Sequence, residues 1–268
     1  MMHRFEKMHG LGNDFVVFDL RETLTDFDPA LVAALADRHT GIGFDQMVLI
    51  GPSDVASIRV EIRNADGSSA EICGNALRCV GLLIGGELSV DTGGGIARVV
   101  TTDDGVEVTL PEPSIAPVDA HSLTPENCRM LSALLRAERV EPLWHVDVGN
   151  PHLIVLVDDI GAVDVANAGP FLEHDPLFPD RINVAFARIA SADRIDLRMW
   201  ERGAGATRAC GSGACAAAAA AIKAGLTGDH VIVDQPGGGL SVRWVRGEEL
   251  TMVGHAAHVY SGRIEVRT

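Results

Sequence analysis

Two glycine-rich segments of this 268-residue chain stand a fixed 137 residues apart. Ile72-Cys73-Gly74-Asn75-Ala76 lines up with Ala209-Cys210-Gly211-Ser212-Gly213, and Gly12-Asn13-Asp14 with Gly149-Asn150-Pro151. The same shift, with no gap, lays Gln46 on Asn183, Asn64 on Glu201 and Asn75 on Ser212. Chance likeness between two glycine-rich stretches would not hold one register from residue 12 to residue 76. Nor would it align polar residue types suited to a small polar ligand. The expectation is an internal duplication, two homologous halves related by a pseudo-two-fold axis.

Local patterns support two similar halves. In the first, residues 14–20 and 57–63 read as strands, the latter through alternation of Ile58, Val60 and Ile62. Residues 29–39 read as a helix, with Asp28 as N-cap and Pro29 in its first turn. Residues 75–84 read as an apolar helix directly after Cys73-Gly74, and 97–102 with 106–110 as a hairpin. The second half offers strands at 144–148, 152–157 and 194–200, and a nearly pure alanine helix at 213–224. Four further strands are expected at 231–234, 240–245, 250–253 and 257–266. Pro111, Pro113 and Pro117 mark the boundary, so the domains are set at 1–114 and 115–257. The last strand, about 258–268, is assigned to the first domain, although spacing alone leaves that open.

The chain is 47% hydrophobic with a formal net charge of −15, enough apolar material for a sizeable core. The acidity argues against nucleic acid as a partner and reads as solubility. No apolar run is long enough for a secretory signal or a bilayer span, so a cytoplasmic protein with no membrane partner is expected. The five cysteines are Cys73, Cys79, Cys128, Cys210 and Cys215. An odd count makes a poor disulfide framework, and the cluster spacings lack the tight pairs of zinc sites. No metal is expected. Cys79, Cys128 and Cys215 read as core residues.

Cys73 and Cys210 differ because each precedes a helix built of small residues. The first N–H groups of a helix are unpaired and carry positive potential. That potential lowers a thiol pKa, and the same N–H groups can hold a carboxylate. Two such sites facing one another would put a thiol on each side of a ligand. This arrangement suits inversion of a stereocentre: one thiolate removes the Cα proton and the opposite thiol delivers one to the other face. The planar carbanion formed between the two steps would be stabilised by the helix N-termini.

Other chemistries fit less well. Pyridoxal phosphate needs a Schiff-base lysine, and the two lysines, Lys7 and Lys223, lie in no phosphate-binding setting. Gly211-x-Gly213-x-x-Ala216 is a weak match to a dinucleotide fingerprint, without a compact βαβ unit after it, and no Walker A sequence is present. No cofactor is therefore expected. A Cys–His hydrolase using Cys210 and His152 stays open, as does a non-catalytic binding module. The first leaves Cys73 unexplained and the second leaves both cysteines so. Solvent deuterium entering at Cα separates the epimerase from both.

At these residues the chain resembles the diaminopimelate epimerase family along nearly its whole length. The resemblance is carried by residues 7–15 (KMHGLGNDF), 37–46 (DRHTGIGFDQ), 64–67 (NADG) and Cys73-Gly74-Asn75 with Arg78-Cys79. It continues through Gly149-Asn150-Pro151-His152, Glu201-Arg202-Gly203-Ala204-Gly205, residues 209–213, Pro236-Gly237-Gly238 and His258-Val259-Tyr260. It implies an α/β (α+β-like) fold of two pseudo-symmetric domains, each a curled, mostly antiparallel sheet around a central helix. It implies conversion of L,L-diaminopimelate to the meso form for lysine and peptidoglycan synthesis, and a homodimer.

Carried over residue by residue, the resemblance makes Cys73 and Cys210 the acid/base pair, with Cys73 the base for the L,L substrate. Asn13, Gln46, Asn64, Asn150, Asn183, Glu201 and Arg202 would hold the ligand, with Gly74, Asn75, Gly211 and Ser212 at its reacting carboxylate. His152 and Glu201 would tune the thiols. Arg202 suits a bidentate grip on the distal carboxylate. Two positions depart from the family pattern: Ala76 stands for a glycine and Ala206 for a glutamate. The second leaves substrate identity less secure than reaction type, since relatives of this architecture act on proline, hydroxyproline or histidine.

Overall fold

The structure, a computed structural model, describes residues 2–23, 25–135 and 143–266. The chain begins with β1 (Met2–Gly10), β2 (Asn13–Asp19), α1 (Pro29–Ala36), β3 (Gln46–Gly51), β4 (Ile58–Asn64) and β5 (Ser69–Ala70). Then come α2 (Gly74–Ile84), β6 (Glu87–Thr92), β7 (Gly95–Thr102), β8 (Gly105–Leu110), β9 (Ser114–Val118) and α3 (Pro125–Leu135). Next are β10 (Leu143–Asp147), β11 (Pro151–Leu156), α4 (Val165–Glu173), β12 (Asn183–Ser191), β13 (Arg194–Glu201) and β14 (Gly205–Thr207). The chain closes with α5 (Gly211–Ala224), β15 (His230–Gln235), β16 (Gly238–Trp244), β17 (Leu250–Gly254) and β18 (Ala257–Glu265).

These elements divide into two compact units, Met1–Leu110 with Val253–Thr268, and Pro111–Met252. Cuts after 114 and after 257 would each strip the first residue from a strand, β9 at Ser114 and β18 at Ala257. In the first unit β18 runs antiparallel to β1, and in the second β9 runs antiparallel to β10. Each unit thus borders its leading strand with a strand contributed by the far side of the other repeat.

The strand registers repeat at the sequence shift. Phe15 lies opposite Gln46 in the parallel pair β2–β3, and His152 opposite Asn183 in the parallel pair β11–β12. Met47 faces Arg63 as Val184 faces Trp200, and Ile62 faces Ala70 as Met199 faces Thr207. After the central helices the shift grows from 137 to 143, with Val90 opposite Ala97 and Val233 opposite Leu240. Half of that growth is in the helix, since α5 has 14 residues and α2 has 11.

Each sheet curls around its own helix. α2 packs on β1, β2, β7, β8 and β18, and α5 on β9 to β13, β15 and β16. A helix wrapped by strands needs small side chains so that the sheet can approach from every direction. Ala214 and Ala216–Ala221 are fully buried. In α2, a Cβ on Gly81 would stand 2.6 Å from methyls of Val99 and Val106. Outside the curl, the opposite sheet faces collect the larger apolar residues. Phe18, Met47 and Leu49 meet Val32 and Leu35 of α1. Leu143, Leu153, Val155 and Phe186 meet Leu131 of α3 and Leu172 of α4.

The helix expected at residues 29–39 ends instead at Ala36. The Asp37 carboxylate accepts from the N–H groups of His39 and Thr40, at 2.8 and 2.6 Å, which turns the chain. Gly41 then returns so close beneath α1 that a Cβ would lie 2.4 Å from the Leu35 carbonyl oxygen. The central strands β3 and β12 escaped the sequence reading because strands buried on both faces show no apolar–polar alternation. Met47–Ile50 and Val184–Ala187 are unbroken buried runs.

Candidate active site

In the first unit Cys73 is the N-cap of α2, in extended conformation and half-buried. Its sulfur lies 3.9 Å from Asn13 Oδ1. Asn13 begins β2, after a tight turn in which Leu11 and Gly12 both take positive φ. Asn75 Nδ2 donates to the same Asn13 oxygen at 3.1 Å, and the fully buried Arg78 donates to Asn75 Oδ1 at 2.7 Å. Asn13 Nδ2 donates to Asp45 at 3.1 Å. Arginine can only donate and a carboxylate only accept, so the two ends fix which way both amides point. Gln46 and Asn64, opposite one another on β3 and β4, are joined by a 2.9 Å bond from Gln46 Nε2 to Asn64 Oδ1.

In the second unit Cys210 caps α5 and is buried. The N–H of Gly213 donates to its sulfur at 3.3 Å, and the Ser212 hydroxyl lies 3.5 Å away. These are the donors that stabilise a thiolate at a helix start. The backbone N–H of Cys210 itself is taken by Gln235 Oε1 at 2.7 Å. Asn183 Nδ2 donates to the Pro151 carbonyl, and its Oδ1 accepts the Arg202 N–H at 3.0 Å. The Arg202 guanidinium donates to the Asp180 carbonyl at 3.2 Å, and the Thr207 hydroxyl donates to Glu201.

His152 is fully buried, and its Nε2 pairs with Asn150 Oδ1 at 3.0 Å. Burial first, then the Arg202 and His145 charges, push its pKa down to about 3, so the ring is neutral near pH 7. Its hydrogen bond holds Asn150, which narrows the case for a hydrolase that would need this ring on a thiol. Burial also raises the Cys79 thiol well above the usual range, which keeps it protonated. Lys7 is engaged by Asp14 and the Gly43 carbonyl, and Lys223 sits exposed in the last turn of α5. Of the two departures from the family pattern, Ala76 is fully buried in α2, whereas Ala206 is exposed on β14.

Three contributors escaped the sequence reading. Arg78 and Thr207 each complete the bonding of a candidate ligand-holding residue, Asn75 and Glu201. Gln235 directly precedes the Pro236-Gly237-Gly238 segment, and that adjacency was the only sign of its contact with Cys210.

Among solved structures, the hydroxyproline epimerase of Agrobacterium vitis, with bound trans-4-hydroxy-L-proline, matches with TM-score 0.69 and 14% identity over 98% of this chain and 92% of that one. A PhzF-family phenazine biosynthesis protein of Bacillus anthracis matches with TM-score 0.69 and 18% identity over 99% and 100%. At such identities the likeness is one of fold. Sequence relatives are nearer. The diaminopimelate epimerase of Sphingopyxis alaskensis is 45% identical over 265 residues, 99% of this chain and 98% of that protein. That of Pseudomonas fluorescens is 41% identical over 277 residues, 99% and 100% of the two lengths. The diaminopimelate epimerase family model matches residues 5–115 and 144–259.

Two repeats, each curled around a helix capped by cysteine, together with these relatives define the class: an isomerase, an amino-acid epimerase independent of pyridoxal phosphate. Within that class the chain belongs to the diaminopimelate epimerase family.

Proposed function

We propose that this chain interconverts L,L- and meso-diaminopimelate with Cys73 and Cys210 as its acid/base pair and no cofactor. One observation carries the reading: each repeat sets a cysteine at the N-cap of its buried central helix, at the same repeat position. One thiolate takes the α-proton, and the C–H electron pair stays on Cα, delocalised into the carboxylate. The other thiol gives its proton to the opposite face and becomes the thiolate. For the L,L substrate Cys73 is the base. The helix-start N–H groups at Gly74-Asn75 and Gly211-Ser212 hold the reacting carboxylate as charge develops.

The distal end of the substrate carries a second carboxylate and ammonium. Arg202 pairs with that carboxylate, while Glu201 and the carbonyl oxygens of Asn13, Asn64, Asn150 and Asn183 accept from ammonium groups. Gln46 braces Asn64, and His152 braces Asn150. The product serves lysine and peptidoglycan precursor synthesis. A cytoplasmic homodimer belongs to the same reading.

The test is NMR of the purified, reduced protein with L,L-diaminopimelate in deuterated buffer. Deuterium at Cα together with meso product is the expected result. No exchange by folded protein with free thiols would overturn the substrate assignment and move attention to proline-like amino acids and histidine.

A further inference from the structure

Glu173, the last residue of α4, is a carboxylate buried to 3% exposure that the proposed chemistry leaves without a task. Its two oxygens collect donors from three places. Oε2 accepts from Trp200 Nε1 at 2.7 Å, and Oε1 from the Gly203 N–H at 3.2 Å and Arg181 Nη1 at 3.3 Å. Trp200 and Gly203 are the residues on either side of Glu201-Arg202. The carboxylate therefore staples both flanks of the pair read as holding the distal end of the substrate.

The surroundings are built for that grip. One helical turn before Glu173, Gly169 lies so close to Trp200 that a Cβ would fall 2.3 Å from Trp200 Cγ. α4 thereby lies directly on the indole whose N–H reaches Glu173. Arg181 holds φ at +62°, a left-handed conformation costly for a side-chain-bearing residue and kept only where its neighbours enforce it. Between Arg181 and β12, the chain runs straight into Asn183, whose Oδ1 accepts the Arg202 N–H. The Asp180 carbonyl, one residue earlier, accepts from the Arg202 guanidinium. Glu173 thus ties together the two segments that meet at Arg202.

We infer that Glu173 is a positioning residue that aims Arg202, and through it sets the affinity for a substrate with a second carboxylate. This rests on the assignment of Arg202 to the distal carboxylate made above. A buried carboxylate that merely stabilised the fold would leave ligand affinity alone.

The experiment uses the full chain with both catalytic thiols removed, Cys73→Ala with Cys210→Ala, so that calorimetry reads binding of L,L-diaminopimelate without turnover. Glu173→Gln keeps shape but opposes one N–H with an amide N–H. Arg181→Gln removes only a half-exposed partner and guards against loss of fold in the first variant. The dissociation constant should rise at least about fivefold for Glu173→Gln and at least about twofold for Arg181→Gln, with circular dichroism unchanged. In the enzyme with its thiols intact, KM should rise while kcat falls less than about threefold. Folded variants that bind as the parent does would overturn the inference. So would an effect confined to kcat, or an unfolded Glu173→Gln protein alongside an Arg181→Gln protein of unchanged affinity. Failure of the parent itself to bind would instead remove the reading of Arg202, and the inference with it.

Discussion

The backbone N–H of Gly213 points at the sulfur of Cys210 across 3.3 Å, one turn into the helix that Cys210 caps. Glycine at this position keeps a side-chain carbon from crowding that sulfur. A Cβ at 213 would stand 3.3 Å from that sulfur and 2.6 Å from Met199 Sδ and Cε. The end of a methionine side chain yields easily, whereas the cysteine is anchored by its cap. Gly213→Ala should therefore cost little stability but about tenfold or more in kcat/KM, because small displacements of a reacting group are expensive. Steady-state kinetics set beside a melting curve decide this. Unchanged kinetics would show that the thiol tolerates the methyl.

Removing either thiol removes the proton carrier for one face. Cys73→Ala and Cys210→Ala should each lower epimerisation by about 10²–10⁴-fold or abolish it. The serine variants should be crippled as well, since a hydroxyl is a poor base near neutral pH. Meso product followed by NMR is the check, and full turnover by either alanine variant would end the two-thiol mechanism.

His152 supplies a pH dependence of stability. Its pKa is near 3 in the fold, below the 6.5 of an unfolded histidine. Below about pH 6.5 the unfolded chain binds a proton that the folded chain refuses, so stability falls with falling pH until about pH 3. The slope from this one group approaches 1.4 kcal/mol per pH unit, as an order of magnitude. Part-buried carboxylates such as Asp14, whose pKa burial raises but Arg38 and Lys7 bring down further, add acid sensitivity at the lower end. Melting temperature against pH should fall less steeply between pH 6 and 4 in His152→Gln than in the parent. Parallel curves would contradict a neutral buried ring.

The alanines of α5 are a packing requirement. Ala218 is fully buried inside the curl of its sheet. Ala218→Leu adds three carbons where strands already touch the helix, at a cost of about 1–3 kcal/mol and a melting temperature several degrees lower. Differential scanning calorimetry would show it. A melting temperature equal to the parent's would mean that the sheet can open around the helix.

The repeat register of the candidate site residues could be read from spacing because duplication leaves a measurable trace. The 137-residue shift paired Gln46 with Asn183, and the strands carry those residues at equivalent registers, opposite Phe15 and His152. Helix starts were legible from Cys-Gly pairs followed by small residues. The end of α1 was not, since it depends on Asp37 turning its carboxylate back onto two N–H groups and on Gly41 fitting beneath the helix. Nor were β3 and β12, whose burial on both faces erases the alternation by which a strand is seen.

Order along the chain and residue type were enough to settle the repeat, the two capping cysteines and the polar residues that recur with them. These are properties of single positions and of their separations. Partnerships across long separations needed the fold: Gln235 on the Cys210 N–H, the neutrality of buried His152, Glu173 holding Trp200 and Gly203. Each depends on which groups burial brings within about 3 Å and strips of water. That is a matter of how strands and helices pack, and separation along the chain carries no record of it.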